Sequence, residues 1–405
     1  MKWEKSILSE IADNIQTGPF GSQLHQSDYS EIGIPVVMPK NLVNGNISED
    51  GIARVDETHV GRLSRHIVQK GDILYSRRGD VGKCAYATSR EAGWLCGTGC
   101  LRVTIDEKKA NSKFIFYQLQ KKETIGWVEK HAVGATMLNL NTSILSMVPI
   151  EMPDLATQER IVSVLAAYDD LIENNQKQIK LLEEAAQRLY KEWFVDLCFP
   201  GHENVKIVDG VPEGWEKKEL CELGDIVTGK TPSTSVEHYY GNDIPFVTIP
   251  DMHGHVFPLK TDKSLSFDGA NSQKSKYLPE KALMVSCIGT VGLVNIAVTK
   301  CQTNQQINSI MLFNEKDLYY LYQSMKSLAM LLDGIGSNGT TMTNVNKEKF
   351  SHIMILVPDR ELMDKYFEFC EPLFNNILMC SKKVLSLQEA RDRLLPKLMS
   401  GEIEV

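Results

Sequence analysis

Leu155–Asp196 reads LATQERIVSVLAAYDDLIENNQKQIKLLEEAAQRLYKEWFVD, 42 residues with neither glycine nor proline. Within it a stripe recurs at alternating steps of four and three: Ile161, Leu165, Tyr168, Ile172, Asn175, Ile179, Leu182, Ala186, Leu189 and Trp193. Such a stripe is the seam of a heptad helix, narrower than the face a helix turns towards a sheet. A shift of 205 residues finds it again at Tyr366, Cys370, Leu373, Ile377, Cys380, Val384, Leu387, Arg391, Leu394 and Leu398. Only Arg391 departs, with Ala390 as the alternative inward residue. Each helix would run roughly 60 Å at ~1.5 Å per residue. Its seam must be buried, either on its own globular half or on the other helix. The narrowness of the seam favours pairing as a coiled coil, with Asn175 as a register-setting polar position.

Working outward, the whole chain repeats. Trp3-Glu4 and Thr17-Gly18 are echoed by Trp215-Glu216 and Thr228-Gly229. Ile34–Val37 returns as Ile244–Val247, and Ile73–Ser76 with Gly79–Gly82 returns as Leu283–Ser286 with Gly289–Gly292. Gly134–Asn141 matches Gly339–Asn346, and Pro153-Asp154 matches Pro358-Asp359. The offset starts near 212 and settles at 205, so the deletions fall between the matched patches, as loops allow.

Each half opens with about 150 mixed residues. Ile34–Met38, Asp72–Ser76 and Leu101–Ile105 read as short strands between turn residues. Ser112–Glu123 and Glu315–Met330 read as helices, and Ser146–Glu151 and Ile353–Val357 as closing strands. The expected organisation is a mixed domain over 1–153, a long helix over 154–197, a second mixed domain over 198–357, and a second long helix and tail over 358–405. The fold class is α+β: two similar mixed domains separated by two long helices pairing as an antiparallel coiled coil, with an internal pseudo-two-fold repeat. Antiparallel pairing would put the domains at opposite ends of a dumbbell.

The composition removes several function classes. Apolar residues make up 42% and charged residues 24%, ordinary for a soluble globular chain. No apolar run reaches the ~18 residues needed to span a bilayer, so no membrane partner is expected. The charged start MKWEKSILSEIADN argues against a signal peptide. Nine scattered cysteines without a Cys-x-x-Cys speak for reduced thiols and a cytoplasmic setting. The net charge of −8 excludes a uniformly basic nucleic-acid coat.

A duplicated chain can bind two copies of one partner, as a symmetric dimer does. Two domains at fixed spacing can also read two short segments of DNA. At ~3.4 Å per base pair, domains roughly 40–60 Å apart would sit about 12–18 base pairs centre to centre.

The ordered motifs carry a resemblance across nearly the whole chain. They are Pro212-Glu213-Gly214-Trp215-Glu216, the Thr-Gly turns, the Ile-Pro-(Val/Phe)-Val strands, Leu74–Gly82 and Thr303–Ile307. Gln158–Ile161, Leu189–Phe194 and Leu395–Ile403 complete the set. So composed, the sequence resembles the specificity subunit of type I restriction–modification enzymes. The resemblance implies a non-catalytic subunit whose two target-recognition domains each read one half of a bipartite double-stranded DNA site. It implies that the helices act as spacer and docking surface for two methyltransferase (modification) subunits, with restriction (translocase/endonuclease) subunits as further partners. No cofactor is expected on this chain. S-adenosylmethionine, ATP and Mg²⁺ are expected on partner subunits, where adenine methylation would occur. The first half lacks the Pro-Glu-Gly before Trp3, which affects only its entry segment.

Phosphates are met by Lys, Arg, hydroxyls and backbone N–H groups, and base edges by Arg, Lys, Asn and Gln. Residues 1–153 carry 18 basic against 17 acidic residues, but residues 62–90 alone carry seven against two. Candidates in the first domain are Thr17, Gly18, Lys40, Asn41, Arg77, Arg78 and Lys83, with Arg77-Arg78 leaving a strand at a glycine turn. Residues 198–358 hold 14 lysines, no arginine and 17 acids. Candidates there are Thr228, Lys230, Lys274, Lys276, Thr290, Asn304, Gln305, Gln306 and Asn308. Unlike polar sets imply unlike target sequences. Thr136–Asn139 and Thr341–Asn344 recur in both halves, which favours scaffold or shared backbone contact over readout. So little positive charge predicts modest affinity without partners.

Two rival readings are weaker. Gly224–Thr231 matches Gly-x4-Gly-Lys-Thr, but a phosphate-binding loop must follow a buried strand and open a helix, and the charged Glu216–Glu222 and Pro232–Ser235 fit neither. A methyltransferase would need a glycine-rich cofactor loop and an Asn/Asp-Pro-Pro-aromatic motif, and the sequence holds neither. A free-standing DNA-binding or scaffold protein is the remaining alternative.

Overall fold

The computed structural model describes residues 3–134, 137–336 and 345–405, with side chains described for all of these except 329–336. The chain forms two compact units, one of residues 1–170 and 387–405, the other of residues 171–386.

In the first unit Glu4–Ile7 pairs antiparallel with Pro149–Met152, joining the start of the domain to its end. A four-stranded antiparallel sheet runs in the order Ala12–Thr17, Cys100–Ile105, Ile73–Ser76, Cys84–Tyr86. Ile73–Ser76 is buried along its whole length, as suits its Ile73-Leu74-Tyr75 run. A second sheet runs Leu95–Cys96, Ile34–Val37, Ala53–Val55, Tyr29–Ser30, and its first pair is parallel.

The second unit repeats this topology. Glu216–Glu219 pairs with Met354–Val357. One sheet orders Gly224–Thr228, Ile307–Leu312, Leu283–Ser286, Val294–Ile296. The other orders Lys263–Leu265, Tyr240–Val247, Gln302–Thr303, again with the last pair parallel. The duplication read from scattered patches is thus a duplication of strand order and direction.

Some local readings shift. The helix expected over Ser112–Glu123 is two, Ser112–Leu119 and Lys122–His131. Asn111 caps the first by accepting from the Phe114 N–H, and Lys121 turns extended before the second. The helix expected over Glu315–Met330 is the 3₁₀ turn Glu315–Asp317 followed by Leu318–Gly336. Of the strand expected over Ser146–Glu151, Ser146 instead ends the short helix Thr142–Ser146, capped by Asn141.

The two seams form helices of 36 and 40 residues, Leu155–Tyr190 and Arg360–Met399. Asp154 and Asp359 start them, accepting from the N–H groups of Thr157 and Leu362 at 3.0 Å each. A turn of π-helix, Lys191–Val195, extends the first, and Leu197 at φ 57° stops it. The second is continuous through Pro372, which is exposed, so the carbonyl it orphans can be hydrated.

Every seam position in both helices is buried or half-buried. In the first unit Ile161 and Leu165 join Leu398 and Met399 in the core, and Arg160 Nε donates to the Val405 carbonyl at 2.7 Å. In the second, the Tyr366 hydroxyl donates to the Ala186 carbonyl at 3.5 Å, and Cys380 Sγ to Gln178 Oε1 at 3.4 Å. Numbers rise along one helix as they fall along the other, so the pairing is antiparallel. Arg391 keeps its seam place, half-buried against Asp169. Asn175 Nδ2 donates to the Leu171 carbonyl of its own helix at 2.7 Å, so its amide is satisfied locally. Among the described residues no helix is long and apolar enough to cross a membrane.

Candidate nucleic-acid interface

The Thr-Gly pairs exist because two turns touch. Gly18 N–H donates to the Cys100 carbonyl at 2.9 Å, and a Cβ on Gly18 would stand 1.9 Å from the Gly97 carbonyl oxygen. Gly229 N–H donates to the Ile307 carbonyl at 3.1 Å, and a Cβ there would stand 2.1 Å from the Asn304 oxygen. Only glycine permits either approach.

A second link ties these turns to the neighbouring one. Arg77 N–H donates to the Gly99 carbonyl at 2.9 Å, and Cys287 N–H to the Gln306 carbonyl at 2.8 Å. Leu140 N–H returns to the Arg77 carbonyl at 2.8 Å, and Val345 N–H to the Cys287 carbonyl at 3.1 Å. By these bonds and the sheet registers, Arg77-Arg78 corresponds to Cys287-Ile288, and Gly97-Thr98-Gly99 to Asn304-Gln305-Gln306. One frame therefore carries its polar side chains on one turn in the first domain and on the adjacent turn in the second.

In the first domain Arg77 and Arg78 have no acidic partner among the described residues. The Arg77 guanidinium lies 5.6 Å from the centre of the Phe20 ring, which is exposed. Lys40 and Lys83 are engaged locally. Lys40 Nζ donates to the Gly51 carbonyl at 2.7 Å, and Lys83 pairs with Asp80 at 3.1 Å. Asn41 is fully buried; its amide donates to the Ser48 carbonyl and its oxygen accepts the Met38 N–H. It holds the turn after Ile34–Val37. Pro39, beside Lys40, faces Gly99, so the Lys40, Arg77 and Thr17-Gly18 segments meet around Gly97–Gly99.

In the second domain the Thr228 hydroxyl donates to Asn308 Oδ1 at 2.6 Å, and Asn308 Nδ2 to the Val345 carbonyl at 3.0 Å. Both side chains serve the frame. Asn304 and Gln306 brace each other: Asn304 Nδ2 donates to Gln306 Oε1 at 3.0 Å, and the Gln306 N–H to Asn304 Oδ1 at 3.1 Å. Gln305 is left exposed, its Oε1 accepting from the Thr231 hydroxyl at 2.7 Å. Thr290 is exposed on the turn beside Gln306, whose Nε2 donates to the Ile288 carbonyl at 3.4 Å.

Lys230 is exposed, and its carbonyl accepts from Gln273 Nε2 at 2.7 Å. That bond brings the Lys274–Lys276 turn to the same edge, with Lys274 exposed and Lys276 half-buried. Sequence reading missed Phe20 and Gln273, which have no charge or motif to mark them, and noted Thr231 only as the end of the Gly-x4-Gly-Lys-Thr pattern. The recurring segments lie partly beyond view: Thr136 and Thr341–Asn344 fall outside the described residues. Of the first segment, Leu138 accepts the Gly79 N–H at 3.1 Å, and Asn139 bridges to Arg78.

Gly224–Thr228 of the Gly-x4-Gly-Lys-Thr pattern is a sheet strand paired with Ile307–Leu312, and the segment after Lys230 is loop up to a 3₁₀ turn at Glu237–Tyr239. Its N–H groups do not line a phosphate cradle at a helix start. Among the described residues one trio, Glu219, Cys221 and His352, gathers metal-type ligand atoms.

The family model described as type I restriction modification DNA specificity domain matches residues 1–184 and again 212–384. The chain is 33% identical to the type I restriction enzyme HindI specificity subunit of Haemophilus influenzae, covering 99% of each. It is 29% identical to the type I restriction enzyme MjaIX specificity subunit of Methanocaldococcus jannaschii, over 92% of this chain and 87% of that one. A crystal structure of the S subunit of a type I restriction–modification system from M. genitalium superposes with a TM-score of 0.62 at 16% identity, over 98% and 96% of the two chains.

Proposed function

The chain belongs to the type I restriction–modification DNA specificity family, and on that premise we propose how its two domains divide the reading of a bipartite site. The observation that carries the proposal is the exchange of polar side chains between adjacent turns of one repeated frame. In the first domain Arg78 is exposed and Arg77 is half-buried, its Nε shielded and unpaired; both reach towards base edges, and a guanidinium fits the O6/N7 pair of guanine. In the second domain the same place holds Cys287-Ile288, and Gln305 projects from the next turn, held at its root by Asn304 and Gln306. An exposed carboxamide fits the N6/N7 pair of adenine. Thr290 and the cations of Lys230 and Lys274 serve phosphates beside it.

The two long helices run through both compact units, and they set the gap between half-sites and carry the docking surface for two methyltransferase subunits. Restriction subunits join the same cytoplasmic assembly. S-adenosylmethionine, ATP and Mg²⁺ sit on those partners, and this chain supplies recognition alone. Its net charge of −8 leaves much of the electrostatic hold on DNA to the partners.

The test is to map methylated bases genome-wide in cells carrying the whole complex with Arg77→Ala or Gln305→Ala. Arg77→Ala should relax one half-site and Gln305→Ala the other. Relaxation of both half-sites by either change would overturn the division.

A further inference from the structure

We propose that the second domain carries a surface site for a divalent transition-metal ion, zinc being the natural occupant, built from Glu219, Cys221 and His352. One ligand atom from each residue lies within 4.8 Å of the others. His352 Nδ1 is 2.8 Å from Glu219 Oε2, and Cys221 Sγ is 3.5 Å from the same oxygen. A tetrahedral zinc ion with bonds of ~2.0–2.3 Å sets its ligand atoms roughly 3.3–3.8 Å apart. To admit the ion the Glu–His edge must spread by about half an ångström and the Cys–His edge, which lies within 4.8 Å, must settle into the same range, with water in the fourth position.

The backbone holds the trio in place. Glu219 ends the strand Glu216–Glu219 opposite Met354, and Leu220 N–H donates to the Ile353 carbonyl at 3.1 Å. Cys221 and His352 therefore flank one rigid strand pair. The fold itself does not require these side chains. By the shared register of Glu4–Ile7 with Pro149–Met152, the matching places in the first domain are Ile7, Ser9 and Met147. A nitrogen, a sulfur and a carboxylate oxygen have been set together at one copy of a repeated corner. That donor mixture suits zinc, and oxygen-seeking magnesium or calcium poorly.

Binding is a proton exchange. The Cys221 thiol gives up its proton as the sulfur–metal bond forms, and the proton that His352 Nδ1 donates to Glu219 shifts through solvent to Nε2 or, from the imidazolium, is released, which frees the Nδ1 lone pair for the ion. The hydrogen bond between Glu219 and His352 is replaced by two bonds to metal. Uptake should therefore release protons and tighten as pH rises.

The experiment uses the full chain, purified with chelator and then freed of it, titrated with Co²⁺ as a spectroscopic stand-in and competed by Zn²⁺. One equivalent of Co²⁺ should give a thiolate-to-metal charge-transfer band with tetrahedral visible bands, and Zn²⁺ should abolish both. Cys221→Ser should remove the charge-transfer band, while Cys198→Ser, which alters another exposed thiol, should leave it. His352→Ala should weaken Co²⁺ binding at least tenfold. Zn²⁺ should raise the melting temperature of the wild type and leave that of Cys221→Ser unchanged. These residues lie at the surface, so the variants should keep the wild-type circular dichroism. A missing charge-transfer band at stoichiometric Co²⁺, or one that survives Cys221→Ser, overturns the proposal.

Discussion

Arg391 Nη1 lies 2.9 Å from Asp169 Oδ1, joining the one charged seam position of the second long helix to the first. The same carboxylate accepts the Tyr117 hydroxyl at 2.5 Å and lies 3.6 Å from Lys113 Nζ. Burial, and then the Asp169 charge, push the Tyr117 phenol up, so it stays a donor throughout the physiological range. The guanidinium and carboxylate expose only 25% and 22% of their side chains. A break in the apolar seam has become the point where the helix pair grips the first domain.

Asp169→Ala should therefore cost about 1–3 kcal/mol, because it removes the shared acceptor of two half-buried cations and a phenol and leaves Arg391 only the exposed Asp392; a fully buried pair would cost more. Arg391→Met should cost about 0–1 kcal/mol, since its stem fills the seam and Lys113 still faces Asp169. Urea unfolding of both variants checks this. Equal losses would mean that Asp169 is no hub.

The Thr-Gly turns make a paired prediction. Gly18→Ala should cost about 1–3 kcal/mol through overpacking against Gly97, and disturb recognition by the first domain alone. Gly229→Ala should do the same to the second domain through Asn304. Melting curves and methylated-site maps of the two variants provide the check, and wild-type behaviour in both would contradict the account of these turns.

Glu91 gives a pH signature. Burial drives its carboxyl up, but the Thr88 hydroxyl, Arg90 and the Thr88 N–H together hold it below the ordinary value. A lowered folded value means stability that is present above the unfolded value of ~4.3 and is lost as pH falls through the folded one. Glu91→Gln should therefore be less stable than wild type at pH 7, and the two should converge as acid protonates Glu91. Denaturation midpoints at falling pH measure this, and a constant difference down to pH 3 would exclude it.

The spacer role is tested by length. One heptad added to each long helix keeps the seam in phase and lengthens it by roughly 10 Å. The unread gap should grow by about three base pairs, at ~3.4 Å each, while both half-sites keep their sequences. A methylated-site map with an unchanged gap would refute it.

Periodicity made the long helices legible, because a seam of side chains at fixed steps is a local property. The repeat was legible because glycines such as Gly18 and Gly229 are forced by backbone contact. The interface was legible only in part. Arg78 and Gln305 stay exposed and Arg77 is half-buried, but Asn41, Thr228 and Asn308 are consumed within the frame by partners such as Ser48 and Val345. Such partners lie up to 80 positions away, and no local pattern announces them. The Arg391–Asp169 pair spans 222 positions and was hidden for the same reason.

Independent reading by two domains is tested most directly by exchanging residues 1–150 for the matching segment of a relative and sequencing methylated DNA from cells that carry the hybrid complex. One half-site should change, with the other half-site and the gap as before. A change in both half-sites would contradict the account.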